Sequence, residues 1–117
     1  MPLDEEWKTL EIQLGMAQSD ADTLYVRNSG EVGKKLKSSL DWLDDGHGTN
    51  FSGFTALPGG YRNFHGGFRN FGASSPFWTA SPDDTVSWYR CLNAGDSGVY
   101  RISTFRGHGF SVRCIKD

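Results

Sequence analysis

The sequence predicts a single α+β domain, helices first and an antiparallel sheet last. Three observations carry that expectation. A segment with acids at its start and an apolar stripe opens the chain, helical periodicity is absent beyond residue 40, and three stretches near the carboxyl end alternate β-formers between glycine-rich turns. A length of 117 residues suits one domain, 1–117, whose buried fraction is adequate but not generous. Only 37% of residues are hydrophobic while 14% are aromatic, so eight Phe and four Trp must anchor the core.

The first element follows Pro2. Asp4, Glu5 and Glu6 lie at the positive end of a helix dipole, and Trp7, Leu10 and Leu14 recur on one face up to Gly15. Ser19-Asp20-Ala21-Asp22 reads as a second cap, with a short helix or turn running to about residue 26 before Asn28-Ser29-Gly30 breaks it. The basic run Gly33-Lys34-Lys35-Leu36-Lys37 is expected to be a solvated face. Strands are expected at 86–92, 99–104 and 110–115, forming an antiparallel meander, with Phe110, Val112 and Cys114 on the core side of the last one. Trp88 and Val99 should join Phe110 and Val112 in that core. A local echo pairs Gly60-Tyr61-Arg62-Asn63-Phe64 with Gly67-Phe68-Arg69-Asn70-Phe71, too short for a solenoid repeat. Arginines follow aromatic or apolar residues at 90, 101 and 113, which suggests guanidinium groups stacked on rings inside the domain.

Charge and spacing exclude several functions. A net charge of -2 and a pI near 5.9 argue against nucleic acid as a partner. No apolar run reaches the roughly 20 residues that span a bilayer, and no export signal opens the sequence. Cys91 and Cys114 lack metal-site spacing; one bridge between them is conceivable, with free thiols the expectation. His47, His65 and His108 are scattered among glycines and form no Ser/His/Asp pattern, so no catalytic residues are expected. Asp44-Asp45 and Asp83-Asp84 lack calcium-ligand spacing and read as solvated turns, so neither metal nor cofactor is expected.

Several longer motifs occur in a fixed order: Gly53-Phe54-Thr55-Ala56-Leu57-Pro58-Gly59-Gly60-Tyr61-Arg62, Phe77-Trp78-Thr79-Ala80-Ser81, Trp88-Tyr89-Arg90 and Gly109-Phe110-Ser111-Val112-Arg113-Cys114. Together with the Pro2-Leu3-Asp4-Glu5-Glu6-Trp7 start and the basic run, they resemble the Fibrobacter succinogenes major paralogous domain. The family's usual amino-terminal portion is missing from the match, which suggests a minimal or trimmed domain. That family is similar to the formylglycine-generating-enzyme branch of the C-type-lectin fold. The resemblance implies helices packed on a small twisted antiparallel sheet with long irregular loops, and a location at the cell surface or outside the cell. The enzymes of that branch need a reactive cysteine pair or a redox or metal centre, whereas here Cys114 belongs to the closing motif, so the resemblance does not imply catalysis.

Composition adds a further clue. No Lys lies between Lys37 and Lys116, no Glu follows Glu31, no Gln follows Gln18 and no Met follows Met16. These residue types have no codon ending in a pyrimidine, so they would be missing if asparagine codons AAC or AAT were randomised at their first two bases. Tryptophan is likewise excluded and stands only at the anchor positions Trp42, Trp78 and Trp88 in this half. The pattern resembles the variable proteins of diversity-generating retroelements. Cys91, Tyr100, Ile102, Ser103, Thr104, Phe105, Arg106 and His108 are all reachable from asparagine codons and would form the varied, ligand-contacting set. The competing explanation is a half simply rich in Asn, Ser and Gly. Two functions follow: a variable ligand-display protein, or a constant surface or structural domain that contacts a carbohydrate or protein.

Overall fold

The computed structural model describes residues 1–83 and 86–114 and shows a small α+β protein with short helices against a four-stranded antiparallel sheet. Helix α1 spans Asp4–Gln13. Glu6 Oε1 accepts the Leu3 backbone N–H at 2.9 Å, as acids in a first helical turn can. Its start is fastened to the sheet, because Ser81 Oγ accepts the Asp4 N–H at 2.9 Å and Pro2 O accepts the Ala80 N–H at 2.8 Å. Lys35 Nζ donates to Leu14 O at 2.6 Å, placing a cation at the carbonyl end. Trp7 is buried and Leu10 and Leu14 pack on the core, as the stripe predicts. The same helix also buries Asp4 and Glu11.

Helix α2, Gln18–Ala21, is shorter than expected, and Tyr25–Arg27 form strand β1 instead of continuing it. Three residues carry no readable period; pairing with a distant strand defines them. Helix α3, Val32–Leu36, holds the basic run up to Leu36, with Lys37 just past its end, and only part of that run is solvated. Lys37 is buried, with Nζ donating to Asn93 O at 3.1 Å and Asp96 O at 3.0 Å. Burial lowers its pKa, against the pull of Asp96. Gly33 lets α3 approach this loop, since a Cβ there would lie 2.0 Å from Gly98 O.

The echo folds as a hairpin: β2, Tyr61–Arg62, pairs antiparallel with β3, Phe68–Arg69. Gly60 opens it at φ 68°, where a Cβ would meet Arg69 O at 2.3 Å. Asn63 Oδ1 closes the turn by accepting the N–H groups of His65 and Gly67, each at 3.0 Å.

The main sheet comprises β4, Ser74–Asp83, β5, Val86–Asn93, and β6, Val99–Phe105, in the order β1-β6-β5-β4. The meander therefore lies one strand upstream of the expected one. Strand β4 was hidden by Pro76 and Pro82, which suit the edge position it occupies. Residues 110–114 form no strand. They meet β4 through one parallel bridge, Phe77 to Ser111, and Ile115 lies outside the described residues. Val112 and Cys114 are consequently exposed rather than in the core, and Trp88 and Phe110 are only half-buried; Val99 alone of the expected four is fully buried.

On the face that receives α1, Phe77, Leu92 and Val99 are buried beside Trp7. Arg27, Arg90 and Arg101 are buried there too. Arg90 and Arg101 are directly opposed across β5 and β6. Asp4 separates their charges, accepting from Arg90 at 2.6 Å and from Arg101 at 2.8 Å. Glu11 accepts from Arg90 Nε at 2.9 Å and pairs with Arg27. Burial works to raise the Asp4 pKa, but the Arg101 hydrogen bond and the Arg90 charge prevail and hold it well below the usual carboxylate range. Stacking also occurs where the arginine spacing predicts it, with Arg90 5.9 Å from the Trp7 ring centre, Arg101 4.5 Å from Trp88 and Arg113 4.2 Å from Phe54.

Candidate ligand-binding surface

Side chains alternate across a strand, so the face opposite the helices is built from the other set of positions. Direct pairing places Cys91 beside Tyr100, Tyr89 beside Ile102 and Ser87 beside Thr104, with Pro76 and Trp78 of β4 opposite Cys91 and Tyr89. The hairpin folds over one end of this outer face. Arg62 N–H donates to Gly109 O at 3.0 Å, and the reciprocal bond is 2.6 Å. These bonds set Tyr61 against the chain's last turn: its ring lies 5.9 Å from His108 and 5.5 Å from Phe110, and His108 stacks on Phe110 at 5.4 Å and 11°.

Between hairpin and sheet lies a cavity of about 370 Å³. Its lining contains Tyr61 and Asn70 from the hairpin, Ser74 and Pro76 from β4, Tyr89, Cys91 and Asn93 from β5, Tyr100 and Thr104 from β6, then His108 and Phe110. None is a Lys, Arg, Asp or Glu. Ser74 Oγ donates to Asn93 Oδ1 at 2.8 Å. Among the described residues no protein group bonds the Asn70 carboxamide, Asn93 Nδ2, or the hydroxyls of Tyr61, Tyr89, Tyr100 and Thr104. His108 Nδ1 is buried without a partner. Burial pushes the Tyr89 hydroxyl and the Cys91 thiol each up to about 12, so both stay protonated near neutrality.

Of the eight sequence-predicted positions, Cys91, Tyr100, Thr104 and His108 line the cavity, and Ile102 lies on the same face. Ser103 does not, because it pairs with Trp88 on the helix-facing side. Phe105, the last residue of β6, and Arg106 just past it are exposed. Phe105 lies 6.3 Å from Phe64 of the hairpin turn, and Arg106 folds back to donate to Ser87 Oγ at 2.8 Å and Val86 O at 2.9 Å. Sequence reasoning missed Tyr89 and Asn93, although both stand two residues from Cys91 and so share its face. It also missed Asn70, which lies inside the noted echo.

Cys91 and Cys114 are free. His47 accepts the Trp42 N–H at 3.3 Å, and the His65 ring lies tilted against Phe64 at 4.0 Å. Asp44 and Asp45 are exposed in a turn with left-handed φ angles; Asp84 lies outside the described residues. No group of three or more His, Cys, Asp or Glu able to hold a metal ion occurs among the described residues. No helix there is long and apolar enough to cross a membrane.

These features define a small α+β domain with a cavity on the free face of its sheet. The chain belongs to the Fibrobacter succinogenes major domain family, whose model matches residues 1–116. No curated protein and no solved structure matches it.

Proposed function

We propose that the protein is a non-enzymatic ligand-binding domain of the C-type-lectin-like fold that presents a varied surface on the free face of its sheet, as a variable protein of a diversity-generating retroelement does. The observation that carries this reading is the alternation along β6. Tyr100, Ile102 and Thr104 share the outer face, while Val99 just before them and Arg101 between them are buried as scaffold. A scaffold tolerates replacement at positions that contact water far better than at positions that fill its core. The cavity also suits binding better than catalysis, since its lining offers no carboxylate and its one thiol is held protonated. Ser103 leaves the varied set on this reading.

Two libraries test it. Randomising Tyr100, Ile102, Thr104 and His108 together is expected to leave most clones folded and to yield binders on selection. Randomising Val99, Arg101 and Ser103 is expected to unfold most clones, as read by protease resistance. Equal collapse of both libraries would remove the display reading. A template repeat and a reverse transcriptase gene beside this gene would separate it from a constant surface domain.

A further inference from the structure

The outer cavity narrows the class of ligand, on the premise that this cavity is the binding site. Its lining contains no Lys, Arg, Asp or Glu, which disfavours anionic ligands, since these are normally met by Arg or Lys, and cationic ones, normally met by carboxylates. It is not an apolar slot either. The Asn70 carboxamide, Asn93 Nδ2 and the hydroxyls of Tyr89, Tyr100 and Thr104 have no protein partner among the described residues, and His108 Nδ1 is buried without one. A hydrocarbon there would take these donors and acceptors out of water and leave them unpaired. The ligand that satisfies them is dense in hydroxyls, because a hydroxyl both donates and accepts and so matches amide, phenol and imidazole alike. Rings form the rest of the wall: Tyr61, His108 and Phe110 stack edge and face within 6 Å of one another, and exposed Phe64 continues them at 5.4 Å from His108. Such faces accept the C–H surface of a saturated ring. The volume, about 370 Å³, lies near the lower end of the roughly 300 to 1,000 Å³ of small-molecule sites, which suits a terminal sugar better than a folded partner.

We infer that the cavity binds the uncharged terminal ring of a glycan, with Asn70, Asn93 and His108 fixing its hydroxyls and the Tyr61–His108–Phe110 rings covering one face. Most of these residues lie outside the varied set. Hairpin, β5 and Phe110 thus supply the general preference for a hydroxylated ring, and Tyr100, Thr104 and His108 tune which ring.

The test is amide-resolved NMR titration of the whole domain with three probe sets: neutral mono- and disaccharides, sialylated or sulfated sugars, and short peptides. Neutral sugars are expected to shift signals of residues 70, 91–93, 100–104 and 108. Asn70→Gly suits the positive φ of 58° at that position while deleting the carboxamide, and His108→Phe keeps the ring stack while deleting Nδ1. Each is expected to weaken sugar binding about tenfold with an unchanged melting temperature. Shifts at the cavity with only charged sugars or peptides would overturn the glycan assignment and leave the binding face standing. If no probe shifts the cavity, or both variants bind a sugar as tightly as the parent, the cavity is not the site and the premise falls with the inference.

Discussion

On one face of β5, Arg90 gives its donors to Asp4 and Glu11; on the other, Tyr89 and Cys91 border a cavity in which several polar groups have no protein partner. The same strand thus carries full charges that are paired and neutral groups that are not. The difference follows from cost. A buried charge is tolerated only when paired and hydrogen-bonded, so the helix-facing side cannot change one residue at a time. Neutral hydroxyls and amides at a partly open surface can be satisfied by water, so that side carries no such pairing constraint.

The comparison breaks first at Glu11. Glu11→Ala strips a carboxylate from two buried guanidinium groups and is expected to cost about 3 to 5 kcal/mol, measured by urea denaturation. If the loss is below about 1 kcal/mol, the inner network is not the constraint described. Trp7→Ala removes a ring in van der Waals range of Phe54 and Phe77 and should also cost about 3 to 5 kcal/mol. Trp78 is half-buried on the outer side, its ring centre 4.4 Å from that of Phe110, so Trp78→Ala should cost less, about 2 kcal/mol. Equal losses from the two tryptophans would erase the distinction between faces.

Acid titration sharpens it. The folded-state pKa of Asp4 is depressed, so its contribution is complete above the unfolded value of about 4 and is lost as pH falls below it. Melting temperature should therefore drop on acidification below about pH 4, and Asp4→Asn should be less stable at neutral pH with a flatter acid limb. An Asp4→Asn variant with the parent's acid sensitivity would show that other carboxylates govern it. The smallest effect belongs to the outer face: Thr104→Ala should change stability by no more than about 0.5 kcal/mol by calorimetry.

Legibility in the sequence tracks the same physics. Strands β5 and β6 were readable because β-formers alternate over seven or eight residues between glycine turns. Helix α1 announced itself through its acidic start and Trp7. Strand β1 was not readable, since Tyr25–Arg27 are a strand only by virtue of partners at Val99, Tyr100 and Arg101. Residues 110–114 alternate like a strand but reach the sheet where a single bridge forms. For the candidate surface, four of the eight positions named from the compositional pattern line the cavity, yet that pattern could not separate Ser103 from Thr104; the register of β6 against β5 does that. Asn70 comes to the cavity only through hairpin closure, a tertiary event that local pattern does not encode.

The Arg90–Asp4–Arg101 contact spans 86 and 97 residues of chain, and synthesis delivers its members in a useful order. Asp4, like Glu11, emerges with the first helix, whereas the opposed guanidinium groups arrive only with the last strands. The helix therefore acts as a built-in counter-ion that is ready before the repulsion it must cancel. A chain with α1 moved by circular permutation behind β6 would deliver the opposed guanidinium groups before their counter-ions, and we expect it to give less folded protein than the natural order during cell-free synthesis, with the gap shrinking as salt is added, while the two orders refold alike from urea.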